Sequence, residues 1–343
     1  MKDGVGMSGG AAGALVRAIW RAALAHLPMW FIVLLALGHI HAALWSFPDA
    51  GFAALGMTRA PFAWTILFPW VWVLAYFGLL IYRSRVRRQK LAWAVLAVFG
   101  AGVPLLMLVP HSARQLHYDE LTTIFEVGQL VWVALFAAQI FATRGGHALV
   151  TFFGVTFIYG LMLENTGIVM DFFHEPQFRW YLGPLPAPLC TMLGWSVIFY
   201  VTFACTERFA GWIPWLQRGV MRRALCTTAL ALSLDAQGDP VASMSGVFWR
   251  WNDLLLPGFL GVPLVNWAAW FGAFLPYSWF LFALGNRPDL TPGRRNWELF
   301  LRVPLSAFLG GVLCFAIMAV IEGGFDGPSF QVIARFLDRL LPY

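Results

Sequence analysis

Charge is what this chain has least of. Of its 343 residues, 12% are Asp, Glu, Lys or Arg and 60% are hydrophobic. A soluble domain carries about a quarter charged residues, so half that share excludes an ordinary soluble globular protein. Cysteine is also scarce. Cys190, Cys205, Cys226 and Cys314 are scattered without CxxC spacing, which argues against a disulfide framework or thiolate metal site and for buried reduced thiols. There is no phosphate-cradling glycine loop, dinucleotide fingerprint or Ser/His/Asp set in a credible setting. His39 and His41 are two residues apart and would face different sides of a helix, and His26 does not repair that spacing, so no metal site is expected. No cofactor is expected either. The Gly/Ala-rich N-terminus, with Arg17 and Arg21, lacks a small-residue cleavage site after a short apolar core. It reads as a cytoplasmic or interfacial segment rather than a signal peptide.

What the chain has instead is apolar length. Runs able to cross about 30 Å of hydrocarbon as helix fall at 27–47, 61–82, 91–110, 123–143, 148–170, 188–206, 224–243, 263–285 and 303–321, the last being the least secure. The expected fold is an all-α polytopic membrane bundle of 8–9 transmembrane helices. Residues 1–26 form the N-terminal segment and 27–343 a single membrane domain. Within it lie N-terminal helices (27–120), a core (121–285), and a C-terminal helix and tail (286–343).

With the N-terminus in the cytoplasm, 17 of the 23 basic residues fall on the inner side, among them the 83–90 cluster. That is the positive-inside pattern of a bacterial-type inner-membrane protein. The net charge of +6 then reads as anchoring to anionic lipid, not as a nucleic-acid surface. Most of the acids fall toward the outer side, a bias that insertion rules do not explain.

Two stretches repeat one pattern. The first runs Glu164-Asn-Thr-Gly167, Trp180, Pro188-Leu189, Trp195; the second runs Asp235-Ala-Gln-Gly238, Trp251, Pro263-Leu264, Trp270. The offset is 71 residues at the acid, the glycine and the first tryptophan, and 75 at the Pro-Leu pair and the last tryptophan. This predicts two helical hairpins, 148–206 and 224–285, as a parallel tandem repeat with Glu164 and Asp235 at similar depth near the outer ends of their helices. An acid inside hydrocarbon is a functional-site hypothesis by default.

Three acids lead: Asp235, Glu164 and Asp239. Burial disfavours the charged form, so such an acid can keep its proton at neutral pH and deliver it to an alkene. Aromatic faces can stabilise the resulting cation, and a second, ionised carboxylate can deprotonate a water that captures it. The bland alternative is that Glu164 and Asp235 tie helices together by hydrogen bonds. Asp239-Pro240 alone looks more like a helix-ending turn. Trp180, Tyr181, Trp249, Trp251, Asn266 and Trp270 are candidates to line a pocket for a long apolar substrate, or to form an interfacial belt. Glu126 is either part of the site or a residue that snorkels to the outer interface. Asp171 and His174 would share a helix face if the helix continued, but Pro176 suggests a solvated loop. Glu322 reads as the end of the last span.

The run Ala231-Leu-Ser-Leu-Asp235-Ala-Gln-Gly-Asp239-Pro240, then Gly246-Val-Phe-Trp249-Arg-Trp251 and Gly261-Val-Pro263-Leu264-Val-Asn266-Trp267-Ala-Ala-Trp270, resembles the carotenoid biosynthesis membrane-protein family. The stretch from Glu164 through Trp195 looks like that family's other motif, although Phe178-Arg-Trp180-Tyr181 departs from its pattern. The resemblance covers roughly 120–285. It implies a membrane-embedded carotenoid 1,2-hydratase-like enzyme that adds water to the acyclic end of a carotenoid or another polyisoprenoid. Other enzymes of the pathway would be its partners. Two further readings stay open: an end-group cyclase or isomerase, which begins with the same protonation, and a lipid transporter or binding subunit.

Overall fold

A computed structural model describes residues 24–41, 67–85, 93–94, 118–175, 178–244, 248–256 and 258–341. These residues are almost entirely helical. In chain order the helices are α1 (Leu27–His41), α2 (Leu67–Arg83), α3 (Tyr118–Arg144), α4 (Gly146–Val169), α5 (Leu189–Trp212), α6 (Val220–Met244), α7 (Leu264–Gly285), α8 (Pro292–Leu301), α9 (Val303–Ile321) and α10 (Pro328–Leu340). The expected span at 91–110 lies outside the described residues, apart from 93–94.

Among the described residues, five helices are long and apolar enough to cross a membrane: α3, α4, α5, α7 and α9. α1 and α2 are shorter, at 15 and 17 residues. α6 has 25 residues, long enough at about 1.5 Å rise per residue, but Arg222, Arg223, Asp235 and Asp239 make it more polar than the rest. The chain is an integral membrane protein of helical class. The C-terminal part, expected as one helix and a tail, carries three helices. α8 and α10 are amphipathic and flank the apolar α9.

α5 is the most enclosed helix and packs against α1, α3, α4 and α6. α7 packs along both α6 and α9. A polar clamp ties α4 to α7 within this apolar interior. The hydroxyls of Thr156 and Tyr277 are 2.7 Å apart, Tyr159 donates to the Ala273 carbonyl at 2.9 Å, and the Tyr159 and Tyr277 rings stack at 4.4 Å. Thr156 follows a π-helical turn, Thr151–Val155, and also donates to the Thr151 carbonyl.

One expectation is corrected by the backbone. α6 does not end at Asp239-Pro240 but runs on through Pro240 to Met244. Pro240 removes one backbone donor, a loss that helices tolerate when neighbouring helices enclose them. α4, by contrast, ends at Val169, so Asp171 and His174 do not share a helix. Asp171 adopts φ 67°, and Phe172 N–H returns to the Gly167 carbonyl at 3.0 Å, a left-handed C-terminal cap.

The segments after α4 and α6 meet as a two-stranded antiparallel ribbon, β1 (Phe173–His174) with β2 (Arg250–Trp251), in the register Phe173↔Trp251 and His174↔Arg250. Asn252 ties the ribbon to the end of α4, donating to the Asp171 carbonyl at 3.0 Å. Gly167 is required here because a Cβ would collide with the Phe173 ring.

The tightest helix crossing is α7 on α9, where Gly272 and Gly310 face each other and a Cβ on either would meet the other's backbone carbonyl. Gly272→Val and Gly310→Val should each destabilise the protein by about 1–3 kcal/mol through overpacking. Gly78→Ala, where nothing lies within 4 Å, should be neutral or slightly stabilising. Thermal unfolding of the purified protein in detergent checks this: equal melting temperatures for all three variants would deny the close crossing.

Candidate functional site

The cavity that matters occupies about 640 Å³ at the end of the bundle that carries the ribbon. Glu164 of α4 and Asp235 and Asp239 of α6 line it together. Asp235 and Asp239 are four residues apart, so the helix sets both on one face. All three acids are buried.

Asn266, in the first turn of α7, joins the aspartates. Its side-chain Nδ2 donates to Asp235 Oδ2 at 3.1 Å and to Asp239 Oδ2 at 2.5 Å, one hydrogen for each carboxyl. The N-cap Pro263 places that turn, with Asn266 N–H on the Pro263 carbonyl at 3.0 Å. Asp235 Oδ1 is buried and, among the described residues, has no hydrogen-bond partner. On α4, Glu164 Oε2 accepts from the indole N–H of Trp195 on α5.

Aromatic rings form much of the remaining wall. Trp195 and Trp270 line it 4.8 Å apart, and behind them Trp270 stacks on Phe274 and Phe274 on Phe199 at 3.9 Å. Trp249 and Trp251 enter from the ribbon side. The Trp251 N–H is satisfied by Ser243 Oγ at 2.6 Å, whereas the Trp249 N–H is buried and, among the described residues, without a partner.

Glu175 is a fourth acid that sequence reasoning did not single out. It sits in the loop after β1, only 4% exposed, and Thr191 Oγ donates to its Oε2 at 3.3 Å. Its carboxyl adjoins that of Glu164, and burial, then that neighbour, push the Glu175 carboxyl well above the usual carboxylate range. Thr191 itself lines the cavity. Among the described residues no ion pair reaches Glu164, Glu175, Asp235 or Asp239. Four buried carboxyls, three lining an apolar pocket and one beside it, cannot all carry charge without a paired cation. The arrangement is suited to holding and moving protons beside an apolar ligand. Trp195 was visible in the sequence as a repeat position, but its bond to Glu164 was not.

The other expected site residues fall elsewhere. Trp180 and Tyr181 are 42% and 39% exposed and do not line the cavity. The reason is Glu126. Instead of snorkelling to an interface, it is buried, and its Oε1 accepts the backbone N–H groups of Arg179 at 2.8 Å and Trp180 at 3.1 Å. Glu126 holds the loop by its backbone and leaves the Trp180 ring outside. Asp171 and His174 pair with each other at 2.8 Å, and Asp171 also pairs with Arg339 of α10, all away from the cavity. Glu322 caps the turn after α9, accepting from Ser329 Oγ at 2.7 Å. His26 lies at the far end, its Nδ1 2.6 Å from the Tyr76 hydroxyl, while the side chains of His39 and His41 lie outside the described residues.

The model of the family described as carotenoid biosynthesis protein matches residues 122–330, well over half of the chain. This chain belongs to that family. The match runs from α3 into α10 and so includes every cavity-lining acid, and it reaches beyond the 120–285 stretch that carries the sequence resemblance. No curated protein and no solved structure matches the chain. Membership assigns the protein to carotenoid biosynthesis, and its apolar helices place that role in a membrane.

The Glu126 contact makes a local prediction. Glu126→Leu should speed hydrogen exchange at the Arg179 and Trp180 amides by about tenfold or more, because each loses a charge-assisted bond of about 1.5–3 kcal/mol. Glu126→Gln, whose amide oxygen still accepts, should change exchange far less. Unchanged protection in Glu126→Leu would show that the loop is held by something else.

Proposed function

We propose that this protein hydrates the terminal C=C of an acyclic carotenoid or related polyisoprenoid end group. The observation that carries the reading is the convergence of Glu164, Asp235 and Asp239 on one aromatic-walled apolar cavity. Its volume lies within the ~300–1,000 Å³ range of small-molecule sites. In this reading the polyene end enters the cavity and the two hairpins act as the halves of a parallel repeat, each supplying acids.

Asp235, oriented with Asp239 by Asn266, delivers a proton to the less substituted carbon of the alkene. The π electrons form the new C–H bond, and the O–H pair stays on the carboxylate. The tertiary cation that remains is faced by indole and phenyl rings. Glu164, ionised and oriented by Trp195, takes a proton from a water whose oxygen closes the C–O bond. One water is added. Loss of one proton from Glu164 and uptake of one by the aspartate pair restore the starting state.

The amide variants test this. Asp235→Asn keeps the shape of the acid but has no proton to give to carbon, and it should lose at least the 10²–10⁴-fold of a general acid while still inserting and binding substrate. Glu164→Gln should also be severe. With a lycopene-like precursor, product formed in heavy-oxygen water should gain one heavy oxygen, and product formed in heavy water one carbon-bound deuterium. Unlabelled product, or near-normal turnover in both amide variants, would refute the mechanism.

The proposed topology has nine spans, the N-terminus in the cytoplasm and the ribbon end outside, in keeping with the 17-to-6 division of basic residues. An impermeant thiol reagent on intact cells should therefore label Leu182→Cys and not Arg218→Cys. The opposite pattern would invert the orientation.

A further inference from the structure

Glu164 needs an exit for the proton it takes from water. On the hydratase reading above, that carboxyl must be emptied before each turnover. It faces the cavity on one side, where the ligand is apolar and accepts no proton. Its carboxyl neighbour Glu175 does not line the cavity. It lies behind the wall, held by Thr191, which does line the cavity. Among the described residues its other oxygen, Oε1, is buried without a hydrogen-bond donor, so the carboxyl has a position for a proton. Water is close on the far side: the preceding His174 has a side chain that is 56% exposed, and the partly exposed Tyr181 donates its hydroxyl to the Glu175 carbonyl at 2.8 Å. A buried acid here has no structural partner that requires a carboxylate, since a threonine hydroxyl would serve an amide equally well.

We propose that Glu175 is a positioning residue that relays protons between Glu164 and the water outside the ribbon end. After capture of the cation, Glu164 carries the water-derived proton. Neutral Glu175 first releases its own proton to water, and the proton on Glu164 then refills it, which leaves Glu164 ionised and Glu175 neutral. The aspartate pair takes up one proton from water, so charge and atoms balance over the cycle.

The experiment is turnover of the full-length protein in detergent, with and without added formate as a small diffusible proton carrier. Glu175→Gln should lower kcat by about 10²-fold with KM little changed, and formate should restore part of the loss in a concentration-dependent way. Wild-type turnover should be indifferent to formate. Glu175→Asp should retain more activity than the amide. Near-normal turnover of Glu175→Gln, or a loss that formate does not relieve, would overturn the relay. Should Glu175→Gln fail to insert, Thr191→Val decides: slowed, formate-responsive turnover supports the relay, and any other behaviour overturns it. The parent reading fails separately, because it requires wild-type product to acquire both isotopic labels. A labelled wild-type product with a formate-insensitive variant removes Glu175 alone.

Discussion

One side-chain amide fixes the geometry of the acid cluster. Asn266 gives one hydrogen to each aspartate of α6, and it does so from the first turn of α7. The relative placement of these two helices is therefore the placement of the carboxyls. Removing this donor would leave buried acid oxygens unsatisfied, at about 1–3 kcal/mol or more for a charged group. The same hairpin is packed by α9 through the Gly272–Gly310 contact, and the ribbon is tied to α6 by the Trp251–Ser243 hydrogen bond. A site held this way cannot adjust by moving one side chain. Its precision rests on helix packing, where a shift of one helix would disturb both hydrogen bonds at once.

Much of this was legible in the chain, because membrane insertion leaves few reasons for an acid to lie in an apolar run. Glu164 and Asp235 stood out on that ground alone, and Asp239 was grouped with them, although Asp239-Pro240 alone looked like a helix-ending turn. Asn266 belonged to the same motif. What misled was the assumption that matched repeat positions play matched parts. Trp180 is the counterpart of Trp251, yet Phe173 takes the place opposite Trp251 in the ribbon. The first loop reaches its partner earlier, and Glu126 then holds the rest of it by backbone bonds. Spacing along a sequence does not reveal which residues of a loop will pair. Glu175 was hidden for a similar reason. In a polar run from Asp171 to Gln177 it looks solvated, and only its contact with Thr191 on another helix shows that it is buried. Pro240 misled through a local rule that enclosure by neighbouring helices overrides.

The polar features of this region differ in what they do. Asp171, His174 and Arg339 form an exposed chain that ties β1 to α10. Glu126 and Glu322 are anchors for backbone or hydroxyl donors. Glu164, Glu175, Asp235 and Asp239 are neither. They are buried, close to one another and, among the described residues, without cations. Packing alone would favour replacing such a group by apolar residues of similar volume, which is often neutral or stabilising. Their presence is thus better explained by what protonated and ionised carboxyls can do together than by what they contribute to the fold.

A catalyst for alkene protonation in hydrocarbon faces two opposed demands. The proton donor must be dry, so that carbon competes with water for its proton. The cation, once formed, must meet a single water and not lose its proton to the nearest base, which would give an isomer or a ring instead. On the hydratase reading, dividing the acids between two helices meets both demands. The aspartates of α6 share the Asn266 amide of α7, whereas Glu164 stands on α4 with Trp195 of α5. A base on the donor's own helix face would favour simple proton return; a base on a different helix can instead hold the water that meets the cation. On this argument the division of the acids between α4 and α6, more than the strength of either, decides between addition of water and the competing outcomes.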